Sequence, residues 1–196
     1  IVHGGNEYYQ LPTIRMQETY RFFIDAGADI VVNHHQHCFS GFETYTGRPI
    51  FYGLGNFCFD SLTSEPLSIW HEGYMVKVSL SKSGVSAQSI PYHQCLEKMG
   101  VHLLPENAFE ATFTRLNEII ADREALEKAE EVFSLKEAPL MFCNMMEPAE
   151  GWLLKAIKKG LVPSLVSRRR RLSAQNYILC KSHRDKLNIW LEHNSN

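Results

Sequence analysis

The stretch that most restricts the fold is a helix-like segment followed at once by a short run of β-branched residues. Residues 12–27, PTIRMQETYRFFIDAG, place Met16, Tyr20 and Phe23 on one helical face. Residues 28–33, ADIVVN, then have the apolar pattern of a strand that is buried on both faces. A helix, a tight turn and a buried strand in this order predict an α/β layer.

The remaining segments extend this prediction into two parts. We expect a strand at 48–54, a hairpin at 73–92, and helices at 105–133, 148–160 and 173–193. The fold class is therefore α/β, with an α/β domain over 1–96 and a mostly helical segment over 97–196. The chain opens IVHGGNEYY, which reads as the end of a strand, so we expect that upstream sequence is missing and that 1–196 is the C-terminal part of a longer protein.

Charge divides the chain unevenly. Residues 1–150 hold 10 basic and 20 acidic side chains, whereas 151–196 hold 10 and 2. The block Arg168 to Arg171 is either a solvated basic face or a contact for an anionic polymer, phosphate headgroups or the acidic body of the chain. Aromatic residues do not alternate with this block, so we predict no nucleic-acid partner. No apolar run approaches the roughly 18 residues of a membrane span.

Histidines are concentrated where the buried strand ends. In NHHQHC, an extended backbone would point His35 and His37 the same way, which makes a two-nitrogen clamp for a metal. His3, in HGGNEYY after the first strand, would supply a third nitrogen, and Glu7 lies four residues on. The alternative interpretation, a glycine turn and a polar loop with incidental histidines, stays open on these residues alone.

The blocks HGGNEYY, AGAD, VVNHHQH and PIFYGLGNF occur here in an order and at spacings that resemble the capsule-synthesis, poly-γ-glutamate protein family. That family is a branch of the calcineurin-like metallophosphoesterase superfamily. The resemblance covers about residues 2–60 and implies a β-sandwich flanked by helices, of which this chain holds the C-terminal half. It also implies capsule or poly-γ-glutamate biosynthesis, with metal-dependent phosphoester hydrolysis as the reaction if the protein is an enzyme.

The resemblance assigns roles to five residues. His3, His35 and His37 match metal ligands, and His34 and Glu7 match positions that we take as catalytic, with His34 as an acid. The implied cofactors are divalent Mn, Fe or Zn, two in the complete protein. The Asp and Asn ligands of the superfamily's other half are not in this sequence, so we expect metal to be weak or absent in residues 1–196 alone.

Three positions depart from the family pattern. Gly4 replaces Trp. Asn33 replaces Gly, so that either the turn differs or Asn33 takes a left-handed conformation, and Gln36 replaces Pro, which we expect to loosen the loop. Asn56, in LGNF, is expected to be a hydrogen-bonding residue near the site and not a ligand.

A rival hypothesis is a non-catalytic assembly or export module of an envelope polymer system, whose basic segment binds an acidic partner. An anionic polymer or a phosphoester is the expected ligand. The sequence assigns no compartment, although the cell envelope or the cytoplasmic side of a membrane would fit. The histidines at 71, 93, 102, 183 and 193 are interpreted as structural or surface residues.

Overall fold

The computed structural model describes residues 1–59, 69–82, 84–95 and 98–179. Seven strands and five helices occur in this part of the chain: β1 Val2–His3, α1 Ile14–Asp25, β2 Val31–His34, β3 Phe42–Tyr45, β4 Arg48–Phe51, β5 Glu72–Ser81, β6 Gly84–Gln94, β7 Val101–Leu103, α2 Glu110–Ala121, α3 Arg123–Met146, α4 Gly151–Lys158 and α5 Arg168–Leu179. The predicted α/β class, with a mostly helical C-terminal part, is confirmed. No helix of the described residues is long and apolar enough to cross a membrane.

The first sheet brings three strand ends to one edge. Its order is β1-β2-β4-β3, in which β1, β2 and β4 are parallel and β3 is antiparallel to β4. Parallel strands end at the same edge, so His3 of β1 lies directly beside His34 of β2. The ends of these strands and the loops that follow them carry all the candidate site residues, as expected where a rigid sheet positions the groups at its strand ends.

The second sheet is antiparallel, with the order β5-β6-β7. The β5–β6 hairpin matches the predicted one, because its alternating pattern is strong over ten residue pairs. A bridge between Gly55 and Gly73 connects the loop after β4 to β5. This bridge brings the start of the second sheet close to the edge where the parallel strands end.

The chain forms two compact units, Ile1–Phe133 and Ser134–Asn196. The first unit includes α2, because Phe113 of that helix packs edge-on against Tyr74 with ring centroids 5.1 Å apart. Buried Gln17 of α1 also donates a hydrogen bond to the carbonyl of Ile120 at 2.8 Å. The predicted boundary at 96/97, where the sequence becomes mostly helical in character, stays a prediction.

Two helix predictions are corrected. The helix expected over 105–133 is broken at Asp122, whose extended backbone ends α2 and whose Oδ1 accepts hydrogen bonds from the amides of Glu124 and Ala125. An Asp side chain that binds the first amides of a helix is a typical N-cap. The last helix begins at Arg168 instead of 173, and residues 180–193 of that prediction lie outside the described part.

The second unit carries the basic block. Arg168 to Arg171 are all exposed at the start of α5, as the interpretation of a solvated face expects. Glu147 accepts a hydrogen bond from the amide of Leu165 at 3.0 Å, and Ile157 and Val166 are buried. An anionic partner for the arginines stays a prediction.

Candidate functional site

The site is built around a buried amide at the end of β2. Asn33 is fully buried, and its Oδ1 accepts from the amide of Gly4 at 3.1 Å and from the hydroxyl of Tyr20 at 2.7 Å. Its Nδ2 donates to the carbonyls of Gly4 at 2.9 Å and Tyr52 at 2.8 Å. One side chain therefore joins the ends of β1, β2 and β4 to α1. Asn33 does not take the left-handed conformation that was one of our two expectations, since it stays within β2.

His3 and His35 form the closest pair of candidate ligands. His35 Nδ1 lies 3.0 Å from His3 Nε2, and the two rings meet edge-on with centroids 4.7 Å apart. Two ring nitrogens at this separation share one proton in a hydrogen bond or direct two lone pairs at one cation. The structure thus brings together two of the three predicted ligands.

The third predicted ligand, His37, is fixed by Asn56. His37 Nδ1 lies 2.8 Å from Asn56 Oδ1, while Asn56 Nδ2 donates to the carbonyls of His37 at 3.1 Å and Trp70 at 3.2 Å. Because both amide hydrogens of Asn56 point at carbonyls, its oxygen faces His37, whose Nδ1 must carry the proton. The Nε2 lone pair of His37 is then free for a ligand. The ring centroid of His37 is 6.3 Å from that of His35.

The backbone of the histidine loop is not extended, so our geometric reason for the clamp is wrong. His35 and His37 have φ values of 108° and 55°, a region that residues other than glycine seldom adopt. Gln36 between them is buried, and its Nε2 donates to the carbonyls of Tyr9 at 2.8 Å and Leu11 at 3.2 Å. The expectation that Gln36 loosens the loop is also wrong, because these two bonds hold it.

The two residues taken as catalytic lie at the rim. Glu7 is exposed in the turn after β1. Partial burial of the His34 ring lowers its pKa, and the nearby His3 lowers it further. A lowered pKa favours the neutral ring at pH 7, whereas the predicted acid role requires the protonated form. The roles of both residues stay predictions.

Among the described residues, no group of three or more His, Cys, Asp or Glu side chains is arranged to hold a metal ion. The donors nevertheless suit part of a coordination shell. His3 and His35 place two nitrogens side by side, and the second nitrogen of His37 is tied to an amide oxygen, the arrangement usual for a ligating imidazole. Imidazole donors suit Zn and Fe, which are among the metals predicted.

Sequence reasoning missed an aromatic surface beside His37. We name Tyr8, Phe59 and Trp70 the aromatic platform. The His37 ring stacks on Trp70 with centroids 5.3 Å apart, and its centroid lies 5.6 Å from Phe59 and 6.3 Å from Tyr8. These residues are far apart in sequence and show no shared periodicity, so only the loop geometry reveals the cluster.

The fold and the site define an α/β protein with a histidine cluster at the ends of parallel strands. Residues 1–61 match the family model for bacterial capsule synthesis protein PGA_cap, so this segment is similar to that family. The segment is 50% identical over 58 residues to the PGA biosynthesis protein CapA of Bacillus subtilis (strain 168), covering 30% of this chain and 15% of that protein.

Two other relatives match over a similar length. Identity is 47% over 58 residues with the capsule biosynthesis protein CapA of Bacillus anthracis, covering 30% of this chain and 14% of that protein. Identity is 45% over 60 residues with the uncharacterized protein y4sH of Sinorhizobium fredii (strain NBRC 101917 / NGR234), covering 31% of this chain and 13% of that protein. The matches thus span about one-seventh of the relatives' length. The matched segment holds all five predicted site residues and none of α2–α5.

Proposed function

We propose that residues 1–61 contribute one half of a metal-dependent phosphoester hydrolase site in a protein of capsule or poly-γ-glutamate biosynthesis. The observation that carries the proposal is the 3.0 Å separation of the His3 and His35 ring nitrogens, next to His37 with its free Nε2. The CapA relatives, which are named for PGA biosynthesis and capsule biosynthesis, supply the biological setting.

In this proposal His3, His35 and His37 hold the metal. A bound divalent cation supplies Lewis-acid activation for hydrolysis. The chain's own contribution is orientation: Asn56 fixes the tautomer of His37, and Asn33 holds the end of β1 beside β2 so that His3 faces His35. The three histidines would supply only part of a two-metal coordination shell, so the site would need further ligands.

The test compares metal content and hydrolysis of a chromogenic phosphodiester in the complete protein that contains this segment. The double variant His35→Ala, His37→Ala should lose the metal and the activity while remaining folded. His102→Ala removes an exposed histidine of β7 and is the matched control, which should keep both. Full metal content in the double variant would show that the histidines are structural.

Asn56 gives a finer test of the same site. Asn56→Ala should weaken metal affinity roughly 10- to 100-fold, the range found when the hydrogen-bond partner of a ligating His is removed. Equilibrium dialysis against Zn²⁺ would measure this loss. Unchanged affinity would mean that the orientation of His37 does not matter for binding.

A second candidate function is the non-catalytic assembly module. The observation that favours it is the concentration of basic side chains after residue 150, with Arg168 to Arg171 all exposed. Metal-free protein that binds poly-γ-glutamate, with an affinity that falls steeply with salt, would support the module. Binding that is unaffected by Arg168→Ala through Arg171→Ala would remove this support.

A further inference from the structure

The aromatic platform is more exposed than a packing role requires. The side chain of Tyr8 is 52% exposed and that of Phe59 is 43% exposed, although both stand in contact distance of other rings. Trp70 joins them, with centroids 6.1 Å from Tyr8 and 5.3 Å from Phe59. Large flat apolar surfaces that remain in water next to polar groups are typical of ligand-binding positions.

The platform is anchored to the histidine loop on two sides. The amide of Tyr8 donates to the carbonyl of Gln36 at 2.7 Å, and Asn56 bonds both His37 and the carbonyl of Trp70. The His37 and Trp70 ring centroids are 5.3 Å apart, so one small molecule could reach both the platform and the histidines. Since the anchoring contacts are hydrogen bonds to backbone, the spacing between the two places is set by the fold.

The sequence segments that form the platform and the histidine loop carry no permanent positive charge. Residues 1–11, 33–40, 52–59 and 69–74 contain no Lys and no Arg. Sites for polyanions, including single-stranded nucleic acids, combine aromatic residues with a basic groove. A polyglutamate chain also has no ring that could use the aromatic faces. Both polyanions therefore suit the platform poorly.

We infer that the aromatic platform binds the pyranose ring of a sugar whose phosphoester group lies at the histidines. This inference rests on the proposed function for the histidines, and it names the substrate class of that site. Tyr8 and Phe59 each contact Trp70, and both keep about half of their surface in water. Exposed aromatic surface of this kind suits the apolar C–H face of a pyranose while its hydroxyls stay in water.

The experiment measures ring binding separately from phosphate chemistry. Methyl glucoside, which carries no phosphate, is titrated into the 196-residue chain and followed by saturation-transfer NMR, alongside glycerol, adenosine monophosphate and poly-γ-glutamate. We expect saturation transfer to the C–H face of the glucoside and none to glycerol. Stronger binding of adenosine monophosphate, or of poly-γ-glutamate, would overturn the sugar assignment.

Matched variants locate the binding. Tyr8→Leu keeps apolar volume but removes the flat ring, and should weaken glucoside binding roughly three- to tenfold. Tyr8→Phe keeps the ring and should bind like the parent chain. Phe22→Leu removes a ring of α1 that is 64% exposed and should change nothing. Equal binding in Tyr8→Leu and the parent chain would overturn the inference.

The two proposals fail separately. If glucoside binding is lost in Tyr8→Leu but no phosphoester is hydrolysed by the complete protein, only the hydrolase proposal fails. If phosphoesters are hydrolysed in a His35-dependent way but methyl glucoside does not bind, only the platform proposal fails.

Discussion

Replacing Asn33 by Ala should destabilise the first unit strongly. The side chain makes four hydrogen bonds in a fully buried position, with Gly4 through two of them and with Tyr20 and Tyr52 through one each. The amide of Gly4 keeps a second acceptor, the carbonyl of His34 at 3.1 Å. Three partners therefore lose a bond that nothing else in this cluster replaces.

The magnitude follows from these three partners. A buried hydrogen bond contributes about 1 kcal/mol on average, and a buried group left without a partner costs about 1–3 kcal/mol. Asn33→Ala should thus lower the free energy of unfolding by roughly 3–4 kcal/mol. Tyr20→Phe removes only one of the four bonds and should lower it by about 1 kcal/mol.

Urea denaturation measures the loss if the signal comes from the first unit. Trp70 fluorescence does this in a background carrying Trp152→Phe and Trp190→Phe, because the sequence has three tryptophans. The control is Asn107→Ala, an exposed asparagine, which should change stability by less than about 0.5 kcal/mol. A loss below about 1 kcal/mol for Asn33→Ala would refute the account of this residue as the junction of three strands and a helix.

Three further predictions concern the first unit. Leu116→Ala, at a buried position of α2, should lower the free energy of unfolding by about 2–5 kcal/mol. Truncation after residue 96 should abolish cooperative unfolding as measured by circular dichroism, whereas a stable 1–96 fragment would show that α2 is not part of this unit. Gly41→Ala should cost about 1–3 kcal/mol in the same assay, because the added methyl would lie 2.6 Å from Asn117 Oδ1 and push α2 away; unchanged stability would contradict this close approach. Burial lowers the pKa of His93, whose strand partners are Glu72 and His102, and the charges of His71 and His102 lower it further. Just below the ordinary value of 6.5 the unfolded chain therefore binds more protons than the folded chain, so the free energy of unfolding should fall as pH drops through that value. His93→Gln should reduce this pH slope in urea titrations at several pH values, and an unchanged slope would be the contrary result.

Elements with strong periodicity could be predicted from the sequence. The helix α1, the strand β2 and the β5–β6 hairpin all appear where the pattern placed them, within a few residues. The strands β3 and β7 were missed because each has only three or four residues and half-exposed side chains, which leaves little pattern to recognise. The break at Asp122 was missed although an Asp followed by a new helical run is a start signal, because the apolar stripe seemed continuous across it.

The candidate site was predictable in its members but not in its geometry. The proximity of His3 and His35 follows from the parallel pairing of β1 with β2, which a pair of short apolar segments before histidines indicates. The left-handed backbone at His35 and His37 depends on contacts far away in sequence, above all the bonds of Gln36 to Tyr9 and Leu11. Local preferences disfavour such a backbone for histidine, so tertiary contacts must hold it.

The departures from the family pattern explain how this chain holds its histidine loop. A proline at position 36 would restrict the backbone covalently, whereas Gln36 holds it through two side-chain hydrogen bonds and fills the space beside Gly5, where an added Cβ would come 3.1 Å from its Cγ. A glycine at position 33 would offer no side chain, whereas Asn33 ties the ends of β1 and β4 to the loop. Both substitutions introduce buried amide groups: that of Asn33 binds the ends of β1 and β4, and that of Gln36 binds the loop between β1 and α1. The geometry of the histidines is therefore coupled to the integrity of the sheet, so that a change which loosens β1 or β4 should disturb the His3–His35 pair before it unfolds the unit.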